Sequence, residues 1–445
     1  MFKRMGLWLI VVLVLAFVVV GCSKTEPVPA ESVAKQDAAQ EKQHDPLTLK
    51  FYQFDLVLTD ADFQKLFADP VKKKFPYITL ELVRAGKGTN PEDLVAAGDF
   101  PDILFSTNPT IQQLDKLGVL ADLAPMVKQF NTDINRFEPD AMDAMKQYGK
   151  NGELLALPFS RNFSPLFYNK DIFDKFGVNY PKDGMTFDEV YELAKKVTRS
   201  DGGVNYRGFD YGQAYKNIGS SLSLNMVNPA SGKADITTDG WKKTFSMMQK
   251  MYSIPGNMPE NSLGSLGKLR KEFTTGNVAM MVDRGTGLVP MLQDLEQSQK
   301  PLHWDLASSP NFPEALGTEA GLDIHLFEMY SKGKHQEDAF KVIDYVTSKD
   351  VGLLASQGGR VSALTDKDIQ KAYGTELPAL KGKHVEAIFK VKPAKLQYPS
   401  EYNSIVDAKL LAAFKSFMLD SQDLNTALRT AQEAADKEIA EKKAQ

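Results

Sequence analysis

Five histidines, at positions 44, 303, 325, 335 and 384, are scattered along the chain, with no i, i+4 pair and no HExxH. A zinc site or a histidine proton relay therefore has no local framework, since either needs its ligands or partners brought to one face. No GxSxG elbow, no GxxxxGK phosphate loop and no GxGxxG after a strand is present. The single cysteine, Cys22, excludes an internal disulfide framework and any multi-cysteine metal site. Aspartate and glutamate total 57, enough for the carboxylate pair of a polysaccharide-processing enzyme, but no motif singles one out. His325, in GLDIHLFEMY, reads as a half-buried strand residue. No catalytic residue, cofactor or metal is expected.

What remains is recognition. A polyhydroxylated solute is held by planar polar side chains that bracket its hydroxyls and by aromatic faces laid on its C–H surface. Such side chains gather at the ends of predicted strands: Gln53, Phe54 and Asp55 after the first, and Ser106, Thr107 and Asn108 after the third. Thr107 and Asn108 serve equally well as caps of the following helix. Arg161 and Asn162 interrupt the apolar run LLALPFSRNFSPLFY, and Arg161 reads either as a ligand contact or as half of an ion pair. Arg284 follows the strand-like VAMMV and offers a two-pronged donor edge for a carboxylate or a hydroxyl pair. Arg360, in GGRVSA, reads as structural. Trp8 lies in the leader, and Trp241 and Trp304 read as core, so stacking falls to Phe54, Phe163, Tyr215, Tyr398 and Tyr402. Met247, Met248 and Met251 read as helix packing.

These residues need elements to place them. A chain of 445 residues is long for one hydrophobic core and predicts two lobes. Its 43% hydrophobic and 25% charged composition is globular, and a formal charge of −4 with no basic stripe argues against nucleic-acid binding. From Leu47, the strand-like LTLKFYQF is followed by the helical DADFQKLFADPVKKKF, which Pro70 interrupts, and by the alternating YITLELV. PEDLVAAG is a short helix with Pro91 in its first turn, and DILFS is a third strand. This β-α-β-α-β order predicts an α/β fold with mixed, mostly parallel sheets flanked by helices, and ligands beyond the carboxyl ends of the strands. Thr186 and Glu189 have capping-box spacing ahead of an apolar face of Val190, Leu193, Ala194 and Val197. The 403–445 segment is predominantly helical, with Val406, Leu410, Phe414 and Phe417 as its packing face.

At the amino terminus, Lys3 and Arg4 precede an uncharged apolar run of 15 residues from Gly6 to Val20. That is shorter than the roughly 20 residues of a membrane span and suits a signal peptide over 1–21. Val19-Val20-Gly21-Cys22 resembles a bacterial lipobox, in which the cysteine is diacylated and cleavage falls before it; the alternative is an uncleaved anchor helix. Cleavage removes two positive charges and takes the net charge from −4 to −6. Residues 23–46 are poor in large apolar side chains and read as a flexible tether spanning on the order of 25–30 Å.

The run LALP…LFYNKDIFDKFGVNYP…MTFDEVYELAKKVT resembles family 1 extracellular solute-binding proteins of ABC importers, the maltose-binding-protein type. FPDILFS, FTTGNVAMMVDRG, DAFKVIDYVTSKDVGLLASQGGRVSA and DLNTALRTAQEAADKEI follow the family's order, so the resemblance covers 47–440. It implies two lobes with the ligand cleft between them: 47–160 plus 312–355, and 166–306 plus 362–445. Chain crossings are expected near 161–165, 307–311 and 356–361. It implies ligand contacts at Asn162 and Asp323, alongside Gln53, Phe54, Asp55, Asn108, Arg161, Arg284 and Tyr402. Where relatives often carry an aromatic after the VAMMV strand, this chain has none before Leu288. The implied function is a monomeric, lipid-anchored receptor on the outer face of a bacterial cytoplasmic membrane. It would capture an oligosaccharide or other polyhydroxylated solute by hinge closure for an ABC permease. An anionic or peptide-like ligand on the same fold, an exported polysaccharide-processing enzyme, and a structural or sensory lipoprotein are the alternatives.

Overall fold

The computed structural model describes residues 44–259 and 261–444; the leader, Cys22 and the tether up to residue 43 lie outside the described residues. Among the described residues the strands, in chain order, are β1 (Leu47–Gln53), β2 (Ile78–Arg84), β3 (Ile103–Thr107), β4 (Leu157–Arg161) and β5 (Leu166–Asn169). They continue with β6 (Arg199–Asp201), β7 (Val204–Tyr206), β8 (Asp210–Tyr211), β9 (Met280–Val282) and β10 (Trp304–Ala307). The last four are β11 (Thr318–Glu319), β12 (Ile324–Met329), β13 (Val361–Ser362) and β14 (Lys392–Pro393).

Two sheets organise two lobes. The first is six-stranded, in the order β13-β4-β12-β3-β1-β2, and the second four-stranded, β10-β5-β9-β8. β1 pairs in parallel with β2 and β3, while β12 enters antiparallel between β3 and β4. The first sheet buries Phe51, Phe105, Phe159 and Phe327 in its larger core, where Phe105 stacks on Phe327 at 4.8 Å and Phe67 from the covering helix stacks on Phe51 at 5.2 Å. Its other face carries Tyr52, Leu94, Phe100, Leu104 and Leu114. The second sheet is likewise covered on both faces, and Val406, Leu410, Phe414 and Phe417 are buried in its larger core. Trp241 and Trp304 are both buried in the second lobe, at 0% and 2% exposure.

Local signals explain the helices. Thr186 and Glu189 form the reciprocal capping box at the start of Phe187–Val197. Pro91 opens Pro91–Ala97, and Gly98 ends it at φ +66°, a conformation in which glycine meets no Cβ penalty. The expected interruption at Pro70 is absent: the run is helical from Asp60 to Lys74 through a π turn at Gln64–Ala68. Pro70 lacks the N–H that an α-helical bond would need, and the wider turn lies just ahead of it.

The chain first passes between the sheets at 162–165, linking β4 to β5. The second passage corrects the 307–311 expectation. Phe312 still packs on Phe187 at 5.0 Å in the second lobe, and Leu322 is the next side chain in the first core, so the passage lies near 316–321. The third, expected at 356–361, is also later. Val361 and Ser362 pair with β4, Leu364 and Ile369 join the first core, and Tyr373, Leu380 and Ile388 pack in the second lobe. β11 and β14 pair in parallel as a small two-stranded sheet.

Glu328 on β12 is fully buried, with one carboxyl oxygen accepting from Ser106 Oγ at 2.7 Å and the other without a partner. Burial pushes its carboxyl up to about 8, from an ordinary 4.5. The folded protein then holds a proton that the unfolded chain releases between those values, so stability falls as pH rises through that window. Glu328→Gln is expected to flatten this loss by roughly 3 kcal/mol between pH 5 and 8, read from denaturation midpoints at each pH. An unchanged pH profile would contradict the assignment.

Candidate ligand cleft between the lobes

β4 and β12 are antiparallel neighbours, so the residue that ends one lies beside the residue that opens the other. The Asn162 amide donates to the Asp323 carbonyl at 2.8 Å, and Asn162 Nδ2 to Asp323 Oδ2 at 3.1 Å. From the second lobe, the turn after β9 brings Arg284 Nη1 to 2.6 Å from the same Asp323 Oδ2. Thr286 Oγ1, two residues on, donates to Asn162 Oδ1. Close packing fixes this turn: a Cβ on Gly285 would stand 2.0 Å from the Phe163 ring, which is itself buried edge-on against Tyr373. Gly321 N donates to Ser220 Oγ at 3.0 Å, a further polar contact between the lobes.

Burial alone would raise the Asp323 carboxyl, but the adjacent Arg284 charge, with His325 and the Asn162 amide, outweighs it and holds Asp323 below the usual carboxylate range. His325, buried behind it against Ser160, is pushed down by desolvation and by Arg360, so the ring is neutral near pH 7. The floor of the cleft is thus a closed set of charges. Beside it, Lys216 pairs with Asp407 at 3.1 Å, and one oxygen of Asp407 is buried without a partner.

The other sequence candidates fall in different places. Asn108 is buried and spoken for on both sides: Oδ1 accepts from Ile324 N at 2.8 Å, and Nδ2 donates to Tyr148 at 3.2 Å. It makes no side-chain helix cap, and it anchors the strand that presents Asp323. Asp55 is exposed at φ +57°, accepts from Thr107 Oγ1 at 3.2 Å, and so leads out of β1 through the left-handed region. Gln53 folds back on Leu56 O at 2.8 Å, and Phe54 stacks on Tyr52 at 5.8 Å.

Arg161 departs most from a ligand role. It is 5% exposed, with Nη1 3.0 Å from Glu319 and Nε 3.5 Å from Glu138. Glu319 on β11 is also buried and accepts from the Ser164 amide. Burial pushes both carboxyls up and Arg161 pulls them back. Arg161 is therefore an internal brace where the chain passes between lobes. Arg360 reaches Asp62 at 3.4 Å.

Tyr402 is half-buried at the start of Asn403–Met418, on the second lobe, and together with the exposed Tyr398 lines a cavity whose lining includes none of Asn162, Asp323 and Arg284. Tyr215 and Phe163, the other stacking candidates, are buried in the second lobe. Sequence reasoning missed Thr286, Ser220, Lys216, Asp407 and Tyr148. Only Thr286 carried a signal, as the residue that follows the VAMMV strand where an aromatic was sought.

Among the described residues no group of three or more His, Cys, Asp or Glu is placed to hold a metal ion. Two lobes whose polar side chains converge on a shared cleft define a protein built to enclose a small solute. The sequence matches the bacterial extracellular solute-binding protein family over residues 57–352, and the chain belongs to that family. It is 26% identical over 211 residues to a putative binding protein of Brucella abortus, covering 45% of this chain and 48% of the relative. The match thus spans about half of that relative's length. It is 22% identical over 327 residues to the multiple sugar-binding protein of Streptococcus mutans, covering 71% of this chain and 74% of the relative. The fold is similar to that of an ABC substrate-binding protein from Listeria monocytogenes in complex with cycloalternan. There the TM-score is 0.70 at 18% identity, over 89% of this chain and all of the other.

Proposed function

We propose that this chain is the solute-capturing subunit of an ABC importer, anchored by a lipid on Cys22, and that its solute is a neutral polyhydroxylated compound of the oligosaccharide class. The observation that carries the solute class is the self-compensated floor, where Asp323 already neutralises Arg284. An uncharged hydroxylated ligand finds there a carboxylate acceptor, a guanidinium donor edge and two-way donors and acceptors at Asn162 and Thr286. An anion would have to displace Asp323 from Arg284 to gain a partner. The sugar-binding relative in Streptococcus mutans and the cycloalternan complex support the same reading. Capture proceeds by closure of the lobes, and only contacts made with both lobes at once favour the closed form. The closed form is the one offered to a membrane permease.

A thermal-shift screen against neutral saccharides, uronates, amino acids and short peptides tests the solute class. A ligand at 100 times its Kd adds about 2.7 kcal/mol and raises the melting temperature. A rise with neutral saccharides is expected; a rise only with uronates or peptides would transfer the assignment to the anionic or peptide-like class.

No helix of the described residues is long and apolar enough to cross a membrane. The proposed attachment point is Cys22, which directly follows the lipobox-like Val19-Val20-Gly21. Cys22→Ser is expected to move the protein from the membrane fraction to the soluble or secreted fraction of producing cells. Retention of the variant on the membrane would point to an uncleaved anchor helix instead.

A further inference from the structure

We propose that the edge of the first sheet remote from the cleft is a docking surface for an anionic phospholipid membrane, on which the tethered body rests with its cleft turned outward. This orientation presupposes the attachment at Cys22 proposed above. β1 and β2 run in parallel and start together, with Leu47 opposite Ile78, while β12 ends beside the start of β3, with Met329 opposite Ile103. The chain therefore enters the body at the edge that also holds the segment ahead of β2 and the turn after β12. Leu47 N donates to Tyr77 O at 2.8 Å, and the Tyr77 hydroxyl donates to Asp338 at 2.9 Å, which ties the three together.

Five lysines gather there. Lys72, Lys73 and Lys74 fill the last turn of Asp69–Lys74, and Lys332 and Lys334 stand on the turn between β12 and the helix Gln336–Val346. All five are exposed, and none is in an ion pair among the described residues. Lys72 Nζ reaches only Thr79 Oγ1, at 3.3 Å, and Lys74 Nζ lies 5.8 Å from the centroid of the Tyr345 ring. Two acids on this edge are already engaged, Asp338 with Lys341 at 2.9 Å and Asp99 with Lys50 at 2.6 Å. Asp45, Asp102 and Glu337 subtract from the positive charge without cancelling it. Helix energetics explains only part of the cluster. Cations in a last turn meet the negative end of the dipole, but Lys332 and Lys334 stand ahead of a helix N-terminus, where the dipole opposes them.

The chain ahead of Leu47 supplies the partner. Between Cys22 and Leu47 lie 24 residues, and a chain of that length reaches on the order of 25–30 Å. A lipid on Cys22 thus keeps this edge close to the headgroups, where each lysine is worth about fivefold in partitioning. The cluster alone is weaker than one acyl chain, so it orients an anchored body and does not hold the Cys22→Ser protein on washed membranes. Asp323 lies at the far end of β12, roughly 20 Å of strand away, so contact at this edge leaves the cleft open to arriving solute.

The test is co-sedimentation with vesicles of the processed chain, residues 22–445 carrying Cys22→Ser so that no lipid is attached. That chain keeps every element from β1 to the last helix, Leu424–Lys443. Vesicles of equal phosphatidylglycerol and phosphatidylcholine are expected to bind it at low salt, and phosphatidylcholine alone is not. Salt at about 1 M, where the Debye length is about 3 Å, should release it. Lys72→Gln, Lys73→Gln and Lys74→Gln together should lower partitioning about a hundredfold with the melting temperature unchanged. Lys332→Gln with Lys334→Gln should lower it about twentyfold, and arginine at all five positions should preserve it. Lys196→Gln, Lys271→Gln and Lys437→Gln, at exposed lysines of the second lobe, are the control. An equal loss in that control, equal binding to both kinds of vesicle, or no binding to either overturns the docking surface. Each of these leaves the Cys22 attachment standing, since fractionation of cells producing Cys22→Ser reads it separately.

Discussion

Replacing Glu319 by alanine is expected to cost about 3–5 kcal/mol of stability, because it strands the buried Arg161 guanidinium without its principal counter-charge. Arg161 is 5% exposed and Glu319 2%, and their 3.0 Å contact lies where the chain passes from one lobe to the other. Glu138, at 3.5 Å, is too far and too poorly aligned to replace it, and Arg161 Nε already lacks a hydrogen-bond acceptor. Arg161→Ala should lose a similar amount by stranding Glu319, whose remaining bond is to the Ser164 amide. Replacing both by apolar residues, Arg161→Met with Glu319→Leu, should recover at least half of the loss, since desolvation of the two charges then disappears as well. Denaturant midpoints of the four proteins read this cycle. If Arg161 served the ligand instead, Glu319→Ala would leave stability nearly unchanged and Arg161→Ala would weaken only binding.

Asp323→Asn is expected to act in two directions on binding. The amide cannot neutralise Arg284, now 2.6 Å away, and it is a weaker acceptor than the carboxylate. A neutral saccharide that uses Asp323 loses a charge-assisted bond, about 1.5–3 kcal/mol, or roughly tenfold to over a hundredfold in affinity. A uronate should bind more tightly, because Arg284 is released to it. Because Arg284 holds the wild-type Asp323 carboxyl below its ordinary range, saccharide affinity should stay level from pH 8 down to about pH 5. It should fall only when the solution becomes acidic enough to protonate Asp323. Calorimetry at several pH values reads both effects. Equal saccharide affinity in wild type and variant would remove Asp323 from the site.

Local signals account for what the sequence revealed. The capping box at Thr186 and Glu189, the proline and glycine that bound Pro91–Ala97, and the alternation in β2 each lie within one element, where spacing alone is informative. The second and third chain passages were misplaced because β11, β13 and β14 are two residues long, too short for any periodicity. Arg161 was ambiguous for a different reason. Its partner is 158 residues away, and only the fold reveals that both are buried. Asn162, Asp323 and Arg284 were each legible as polar residues at strand ends, yet their convergence on one carboxylate depends on β12 returning beside β4. Asn108 had the right location and the wrong partner: it bonds the backbone of Ile324 and the Tyr148 hydroxyl.

The measurement that bears most directly on the account is titration of the intact protein with the saccharide that most raises its melting temperature, followed by recovery and analysis of the sugar. Binding of one molecule per chain, with the saccharide recovered unaltered after prolonged incubation, is the predicted result. Shortened or rearranged sugar would establish an exported enzyme in its place, and binding confined to anionic solutes would contradict the compensated floor on which the assignment rests.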